Sequence, residues 1–416
     1  MRTVRLDAGL HRTDADNGVV VLSETLPAVR SVAAGIWVRS AAAHEEARIM
    51  GVSHLLEHMV FKGTERRSAR EIALELETRG GALDAFTARD HTSYQARVLD
   101  ADLPRALDVL TDLVLHPTLR EADFELERQV VREEISTVED TPDDLVFDLH
   151  ARTLWPDHAY GYPILGTRET VGAMRAADLR DLHGRAYHPR QIVIAAAGAV
   201  AHEPLLRLLT QHGWFTRPGG PAPAAVTAPV ATRGVTQRVA REGAQTHIVL
   251  GTDTFPYRDP RRHAIALLAN VLGGGMSSRL FQRVREELGL AYSVYAFQSL
   301  HGNGGQVGVY VGTHPDRAAD ALTAIHEELE TLSRDGLDAT ALAAAQEQLK
   351  GQVTLALESP VARMYRLAGV PLHDVSYRSI DETLTDIDAV TPDAVAGVAA
   401  EFFTPERQTA VWLGPQ

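Results

Sequence analysis

Two histidines and a glutamate in the stretch HLLEH, residues 54–58, have the types and spacing of a metal site. On a helix of about 3.6 residues per turn, His58 lies about 40° from His54, and Glu57 lies about 60° to the other side. Both imidazoles can then reach one ion while the carboxylate points at its open position. The chemistry this arrangement favours is the activation of a metal-bound water. Because the flanking residues are mostly apolar, we expect this helix to be buried.

A second interpretation of the stretch is structural. Both histidines could be core residues that are hydrogen-bonded to backbone groups. With 18 histidines in the chain, a motif of this type arises by chance in about one such chain in twenty, so it needs support from elsewhere.

The segment 125–138, ELERQVVREEISTV, is the best source of a third ligand, since a catalytic zinc commonly takes three protein ligands and keeps one position for water. As a helix it places Glu127, Val130, Val131 and Glu134 along one stripe, with the two carboxylates about 20° apart. Carboxylates drawn into an apolar face need a cation or strong donors. We expect Glu134 to be the third ligand and Glu127 an auxiliary carboxylate. The alternative is a solvated helix with Glu/Arg pairs.

These residues resemble those of the pitrilysin-type metallopeptidases, whose inverted zinc motif is H-x-x-E-H. In size and pattern the chain is most similar to the mitochondrial processing peptidase branch and its bacterial relatives. Residues 54–64, HLLEHMVFKGT, resemble the family's motif helix and the turn that follows it. The resemblance implies one Zn²⁺ per chain held by His54, His58 and Glu134, with Glu57 as catalytic base. Glu127 matches the glutamate that precedes the third ligand in the same helix of the family.

Two further stretches extend the resemblance over essentially the whole chain. Residues 80–87, GGALDAFT, resemble the family's substrate-binding edge strand. The implied substrate contacts are Ala82, Leu83, Asp84, Ala85, Phe86 and Thr87. Many relatives have Asn where this chain has Asp84, which leaves the main-chain role of the strand intact and puts a side-chain role in doubt. Residues 273–294 resemble the segment that carries the family's Arg and Tyr, here Arg285 and Tyr292, which help to bind the substrate main chain and stabilise the transition state.

Composition sets the outer limits on function. The 416 residues are 45% hydrophobic and 23% charged, as expected of a globular chain with two or more domains. A net charge of −14 argues against nucleic acid and anionic membranes as partners. The absence of cysteine excludes thiol ligands and disulfides, so a zinc site must use His and carboxylate. The sequence has no apolar run typical of a signal peptide or membrane span, and we expect a cytoplasmic protein.

A proline- and glycine-rich segment, residues 213–234, divides the chain. We predict an N-terminal zinc-binding catalytic domain over 1–212, a linker over 213–234, and a C-terminal domain of similar fold over 235–416 that lines the substrate chamber. The fold class is α+β, with mixed or antiparallel sheets and helices packed on one face. Strands are predicted over 18–26, 31–40, 82–88, 92–99 and 191–199, and helices over 68–79, 103–115 and 121–138. The order strand, strand, turn, long helix recurs over 290–332, which indicates a duplicated domain in the half-clamshell architecture of the resembled family.

The predicted function is a zinc-dependent endopeptidase that cleaves unstructured or presequence-like peptides. Two alternatives remain: a non-catalytic organising subunit of a heterodimeric peptidase, and a non-peptidase metal enzyme on a related fold. Larger relatives fuse four such domains, whereas this chain has two, so we expect a homodimer.

Overall fold

The computed structural model describes residues 1–415, which form two compact units. The first unit contains residues 1–135, 163–226 and 356–377, and the second contains 136–162, 227–355 and 378–415. The strands are β1 (Arg2–Asp7), β2 (Leu10–Asp14), β3 (Val20–Thr25), β4 (Ser31–Val38), β5 (Ala82–Thr87), β6 (Thr92–Leu99), β7 (Ile192–Gly198), β8 (Thr236–Ala240), β9 (Thr246–Thr254), β10 (Ala291–Leu300), β11 (Gly305–Thr313) and β12 (Thr409–Gly414).

The α-helices are α1 (Val52–Val60), α2 (Ala69–Glu77), α3 (Leu103–Leu115), α4 (Glu121–Asp140), α5 (Pro142–Leu154), α6 (Arg168–Ala173), α7 (Ala176–Ala186), α8 (His202–Gln211), α9 (Arg262–Gly273), α10 (Ala318–Asp335), α11 (Ala339–Ala356), α12 (Pro360–Leu372), α13 (Ile380–Asp388) and α14 (Pro392–Phe402). A π-helical segment covers Phe281–Glu287. Every helix and strand predicted from the sequence is present, with ends that differ by a few residues. The α+β class is confirmed.

The first unit contains a seven-stranded sheet in the order β1-β2-β3-β7-β4-β6-β5. Strands β3 and β7 run parallel, and the other neighbours run antiparallel. Strand β5 pairs with β6 from Ala82 opposite Arg97 to Thr87 opposite Thr92. Its other side ends the sheet, so the predicted substrate strand is an edge strand.

Helices cover both faces of this sheet. The larger core packs α1, α3 and α4 against one face through residues such as Leu56, Leu110 and Val131. On the opposite face, Met364 and Leu367 of α12 pack against Trp37 of β4. The physical reason is in the strands: β4 and β7 are buried along almost their whole length. A strand apolar at successive positions needs cover on both faces, so α12 adds to the predicted single helical layer.

The second unit repeats the topology. Its sheet has the order β10-β11-β9-β12-β8, with β12 and β8 parallel and the remaining neighbours antiparallel. This corresponds strand by strand to β5-β6-β4-β7-β3 of the first unit. Helices α9, α10 and α14 contribute to its main core, and Val146 of α5 packs on the other face of the sheet. The predicted duplication is confirmed.

The sequence predicts a division into 1–212, 213–234 and 235–416. Two helices belong to the unit on the other side of that predicted linker. Helix α5 precedes the proline-rich segment but belongs to the second unit, and α12 follows that segment but belongs to the first. Periodicity could not reveal this exchange, because an amphipathic helix has the same pattern whichever sheet it covers. No helix or strand is found between α8 and β8, where the linker is predicted. Within residues 1–415, no helix has the length and apolarity that a membrane span requires.

Candidate metal centre

Helix α1 carries the histidine motif and is buried as predicted. Leu55, Leu56 and Met59 are fully buried in the core of the first unit. The helix begins after Gly51, which has a φ of 92°, and a Cβ there would lie 2.6 Å from the carbonyl oxygen of Leu165. Only glycine fits both this left-handed conformation and this close approach.

A glutamate a few residues before this helix caps its start. The backbone N–H groups of Gly51 and Ser53 donate to the carboxylate of Glu45 at 2.7 and 2.8 Å. The first N–H groups of a helix lack intrahelical partners, and a carboxylate there also interacts favourably with the helix dipole. Burial raises the pKa of Glu45 to about 7. Glu45 therefore fixes the start of the helix that presents the histidines.

Three predicted ligands converge in the first unit. His54 Nε2 lies 3.6 Å from Glu134 Oε2, and His58 Nε2 lies 3.5 Å from Glu134 Oε1. One ligand atom from each of the three residues lies within 4.8 Å of the others. The two imidazole rings meet edge to face, with centroids 4.7 Å apart. The tertiary structure thus brings together residues from α1 and α4, as the sequence predicts.

The geometry and chemistry of these donors fit zinc. Ligand atoms about 2.0–2.1 Å from a tetrahedral ion lie about 3.3 Å apart, and each imidazole here has one of the two Glu134 oxygens at 3.5–3.6 Å. Those separations are too long for hydrogen bonds. Burial, together with the neighbouring His58, lowers the pKa of His54 to about 3, so its imidazole is neutral near pH 7 and has a lone pair to donate. Two imidazoles and one carboxylate form a donor set of catalytic zinc sites.

Glu57 lies on the same helix and is held from the edge strand. The hydroxyl of Thr87 donates to Glu57 Oε2 at 2.6 Å. Burial raises the pKa of Glu57, and the hydrogen bond from Thr87 opposes that rise. A carboxylate whose pKa is raised toward the working pH can both accept and return a proton. This is the chemistry predicted for Glu57.

Helix α4 buries its two glutamates to different extents. The side chain of Glu127 is 7% exposed and that of Glu134 is 39% exposed. The buried stripe consists of Phe124, Glu127, Val131 and Ile135. The placement of Val130 on this stripe is wrong, because that residue is 43% exposed. In helical projection it lies about 100° from the stripe's centre, whereas Glu134 lies at its margin.

Glu127 lies behind His58. Its Oε2 is 3.2 Å from His58 Nδ1, and its Oε1 is 2.5 Å from the ammonium of Lys62. It therefore contacts the histidine on the side away from Glu134, and its role as an auxiliary carboxylate of the catalytic site stays a prediction.

The edge strand β5 alternates its side chains as a pleated strand requires. Leu83 and Ala85 pack against the main core of the first unit, on the side from which Thr87 reaches Glu57. Asp84 faces the other way, with Oδ2 3.5 Å from Gln95 Nε2. Phe86 contacts the rings of His91 and Tyr365, with centroids 5.8 and 5.9 Å away. The backbone N–H of Ala85 donates to Asp84 Oδ1 at 2.9 Å, and within residues 1–415 no strand pairs with the other edge of β5.

Arg285 and Tyr292 lie together in the second unit. The guanidinium of Arg285 donates to the carbonyl oxygen of Tyr292 at 3.1 Å and lies 4.4 Å from the centroid of its ring. Tyr292 is open to solvent, with 74% of the residue exposed. The structure brings this pair together, and its role in binding substrate stays a prediction.

Sequence reasoning missed three contacts of the site. They are made by Glu45, Lys62 and the hydroxyl of Thr87. The helix start at Gly51 has no capping side chain of its own, and this could have indicated an acceptor elsewhere in the chain. No comparable local signal identifies the partners of Lys62 or Thr87.

Comparisons with known proteins identify the family. Residues 20–168 match the family described as insulinase (peptidase family M16), and residues 173–349 match the peptidase M16 inactive domain. An uncharacterized zinc protease of Streptomyces coelicolor is 40% identical over 100% of this chain and 93% of its own length. An uncharacterized zinc protease of Bacillus subtilis is 38% identical over 97% of this chain and 98% of its own length.

Two solved structures share the fold. A protease from Helicobacter pylori has a TM-score of 0.91 at 21% identity, covering 98% of this chain and 99% of its own. A peptidase M16 inactive domain from Pseudomonas fluorescens has a TM-score of 0.91 at 20% identity, covering 98% of each chain. With relatives this similar along nearly their whole length, and with two histidines and a glutamate converging as in a zinc site, the chain belongs to the M16 family of peptidases.

Proposed function

We propose that this protein is a zinc-dependent endopeptidase that cleaves unstructured or presequence-like peptides. The observation that carries the proposal is the convergence of His54, His58 and Glu134 beside a buried Glu57. Relatives named as zinc proteases support the same chemistry. The description of an inactive domain applies to residues 173–349, and all four of these residues precede it.

In the proposed mechanism, His54, His58 and Glu134 would hold one zinc ion. The chemistry supplied there would be a lowered pKa for a coordinated water and Lewis-acid polarisation of the scissile carbonyl. Glu57 accepts a proton from the attacking water and then returns it to the leaving amine. Thr87 orients the carboxylate of Glu57 for both transfers through its hydrogen bond.

The edge strand β5 provides the proposed substrate platform. An extended peptide can add to a free sheet edge through main-chain hydrogen bonds, and residues Ala82–Thr87 present such an edge. A substrate bound this way must be unfolded locally, because a folded segment has its main-chain groups already paired. We assign Arg285 and Tyr292 to the substrate main chain and transition state on the strength of the family resemblance.

We further propose that the protein works in the cytoplasm as a homodimer, with peptides rather than nucleic acid or membranes as partners. The charge of −14 supports the exclusion of anionic partners. The homodimer would supply the four domains that larger relatives carry in one chain.

Hydrolysis of an unstructured fluorogenic peptide tests the function directly. Purified protein should contain about one zinc per chain, should cleave the peptide, and should lose and regain activity with chelator and added zinc. Bound zinc without cleavage of a peptide library would favour a non-peptidase metal enzyme. Absence of both would favour a non-catalytic organising subunit. The Glu57→Gln protein serves as the control for contaminating peptidases.

A further inference from the structure

Lys62 lies two residues beyond the motif helix and contacts Glu127. Its ammonium is 2.5 Å from Glu127 Oε1, while the other oxygen of the same carboxylate is 3.2 Å from His58 Nδ1. A chain of contacts thus runs from Lys62 through Glu127 to His58. We propose that Lys62 is a positioning residue, which holds Glu127 as the acceptor for His58 Nδ1–H and thereby leaves His58 Nε2 to bind the metal. This inference rests on the proposed zinc site.

The burial of Glu127 explains why a cation is needed. Its side chain is 7% exposed, and an isolated buried carboxylate is strongly unfavourable. Lys62 supplies the opposite charge, and its side chain is 34% exposed. The pair keeps Glu127 available as an acceptor in a site already crowded with carboxylates.

The acceptor on Nδ1 decides which nitrogen of His58 is free. In a neutral imidazole one nitrogen carries the proton, and a carboxylate facing Nδ1 places the proton there. The lone pair is then on Nε2, which faces Glu134 at 3.5 Å. Partners of this kind behind a metal-binding histidine contribute about 10–100-fold to metal affinity.

The choice of lysine at this position fits the role. Lys62 is one of only two lysines among 41 basic residues. An ammonium is a point charge that contacts one carboxylate oxygen, whereas the fork of an arginine binds both. At Glu127 a bidentate arginine would compete with His58 for Oε2. Lysine satisfies the charge and leaves that oxygen to the histidine.

The absence of cysteine from the chain permits a sharp test. Lys62→Cys is alkylated in two ways: bromoethylamine restores an ammonium of similar reach, and iodoacetamide gives a neutral thioether of similar size. Both products lack a thiolate that could bind zinc. We expect the neutral product to bind zinc about 10–100-fold more weakly than wild type, and the aminoethylated product to recover most of this loss. Zinc affinity is measured by competition with a chelating dye.

Lys350→Cys provides the matched control. Lys350 pairs with Glu347 and Asp388 in the second unit, at 2.6 and 2.8 Å, and its two alkylated forms should bind zinc equally. Equal zinc affinity of the two Lys62→Cys products, with modification verified by mass, would overturn the proposal. So would an additional loss when neutral alkylation is combined with Glu127→Gln, since Lys62 is proposed to act only through Glu127.

A metal-free measurement separates this inference from the proposed function. Nitrogen-15 NMR of histidine-labelled protein in alkaline, chelator-treated buffer should place the His58 proton on Nδ1, with the signal assigned by its loss in His58→Gln. The neutral Lys62→Cys product should lose that preference. A proton on Nε2 in wild type would contradict the proposal even if the protein cleaves peptides, and a proton on Nδ1 would support it even if no peptide is cleaved.

Discussion

The hydroxyl of Thr87 lies 2.6 Å from Glu57 Oε2 and joins the last residue of the edge strand to the middle of the motif helix. Glu57 is thereby held by the same strand that is proposed to pair with substrate. The hydrogen bond stabilises the charged carboxylate and counteracts the effect of burial on its pKa.

Thr87→Val should raise the pKa of Glu57 further, because the donor that stabilises the anion is removed. The acidic limb of the pH profile of kcat/KM should then move to higher pH, since the base is ionised only at higher pH. The loss at the optimum should be about fivefold, the equivalent of about 1 kcal/mol for one hydrogen bond. Thr78→Val is the control, because the hydroxyl of Thr78 donates a hydrogen bond to the carbonyl oxygen of Leu74 on α2. An unshifted acidic limb would argue against the assigned role of Thr87.

Glu57→Gln should retain zinc and lose hydrolysis by at least about 10²-fold, because the base disappears while all three ligands remain. Metal content and turnover of a fluorogenic peptide are measured on the same preparation. Turnover like that of wild type would remove Glu57 from the mechanism.

Glu134→Gln should weaken zinc binding much more than Glu133→Gln. Glu134 lies 3.5–3.6 Å from both imidazoles, whereas the neighbouring Glu133 is on the exposed side of α4. Zinc affinities of the two variants, measured by dye competition, provide the comparison. Similar affinities would exclude Glu134 as a ligand.

Glu45→Gln should change how stability depends on pH. Burial raises the pKa of Glu45 from its ordinary 4.5 to about 7, so the folded protein holds this proton more tightly than the unfolded chain does. The stability that this proton contributes is complete below pH 4.5 and is lost as the pH rises through 7. The free energy of unfolding of wild type minus that of the variant should therefore fall over this interval.

Urea unfolding of the metal-free proteins at several pH values measures this difference. Glu46→Gln is the matched control, because Glu46 is an exposed residue paired with Arg48 at 2.9 Å. A difference for Glu45→Gln that rises with pH would show that the carboxylate is better stabilised when folded than when unfolded.

Assembly can be tested by mixing two inactive proteins. If the protein is a homodimer in which each active site takes Arg285 and Tyr292 from the partner chain, Glu57→Gln protein mixed with Arg285→Ala protein should recover activity. An exchanged dimer would contain one site with both an intact base and an intact arginine. No recovery, despite verified subunit exchange, would favour completion within one chain.

The sequence by itself determined the local part of the site. Helix geometry alone places His54, Glu57 and His58 toward one ion, and the seven-residue spacing of Glu127 and Glu134 puts both on one side of α4. The alternating and continuous apolar patterns likewise predicted the strands and the duplicated α+β fold. The same angular reasoning misplaced Val130, because the exact centre of a buried stripe depends on what packs against it.

Tertiary structure decided every contact between residues distant in the chain. The carboxylate of Glu134 meets imidazoles from another helix, Thr87 of the edge strand donates to Glu57, and Lys62 balances the charge of Glu127. The exchange of α5 and α12 between the two units was also settled at this level. The periodicity of the sequence indicates which face of a helix or strand is apolar. The element that covers that face depends on how all the elements pack together.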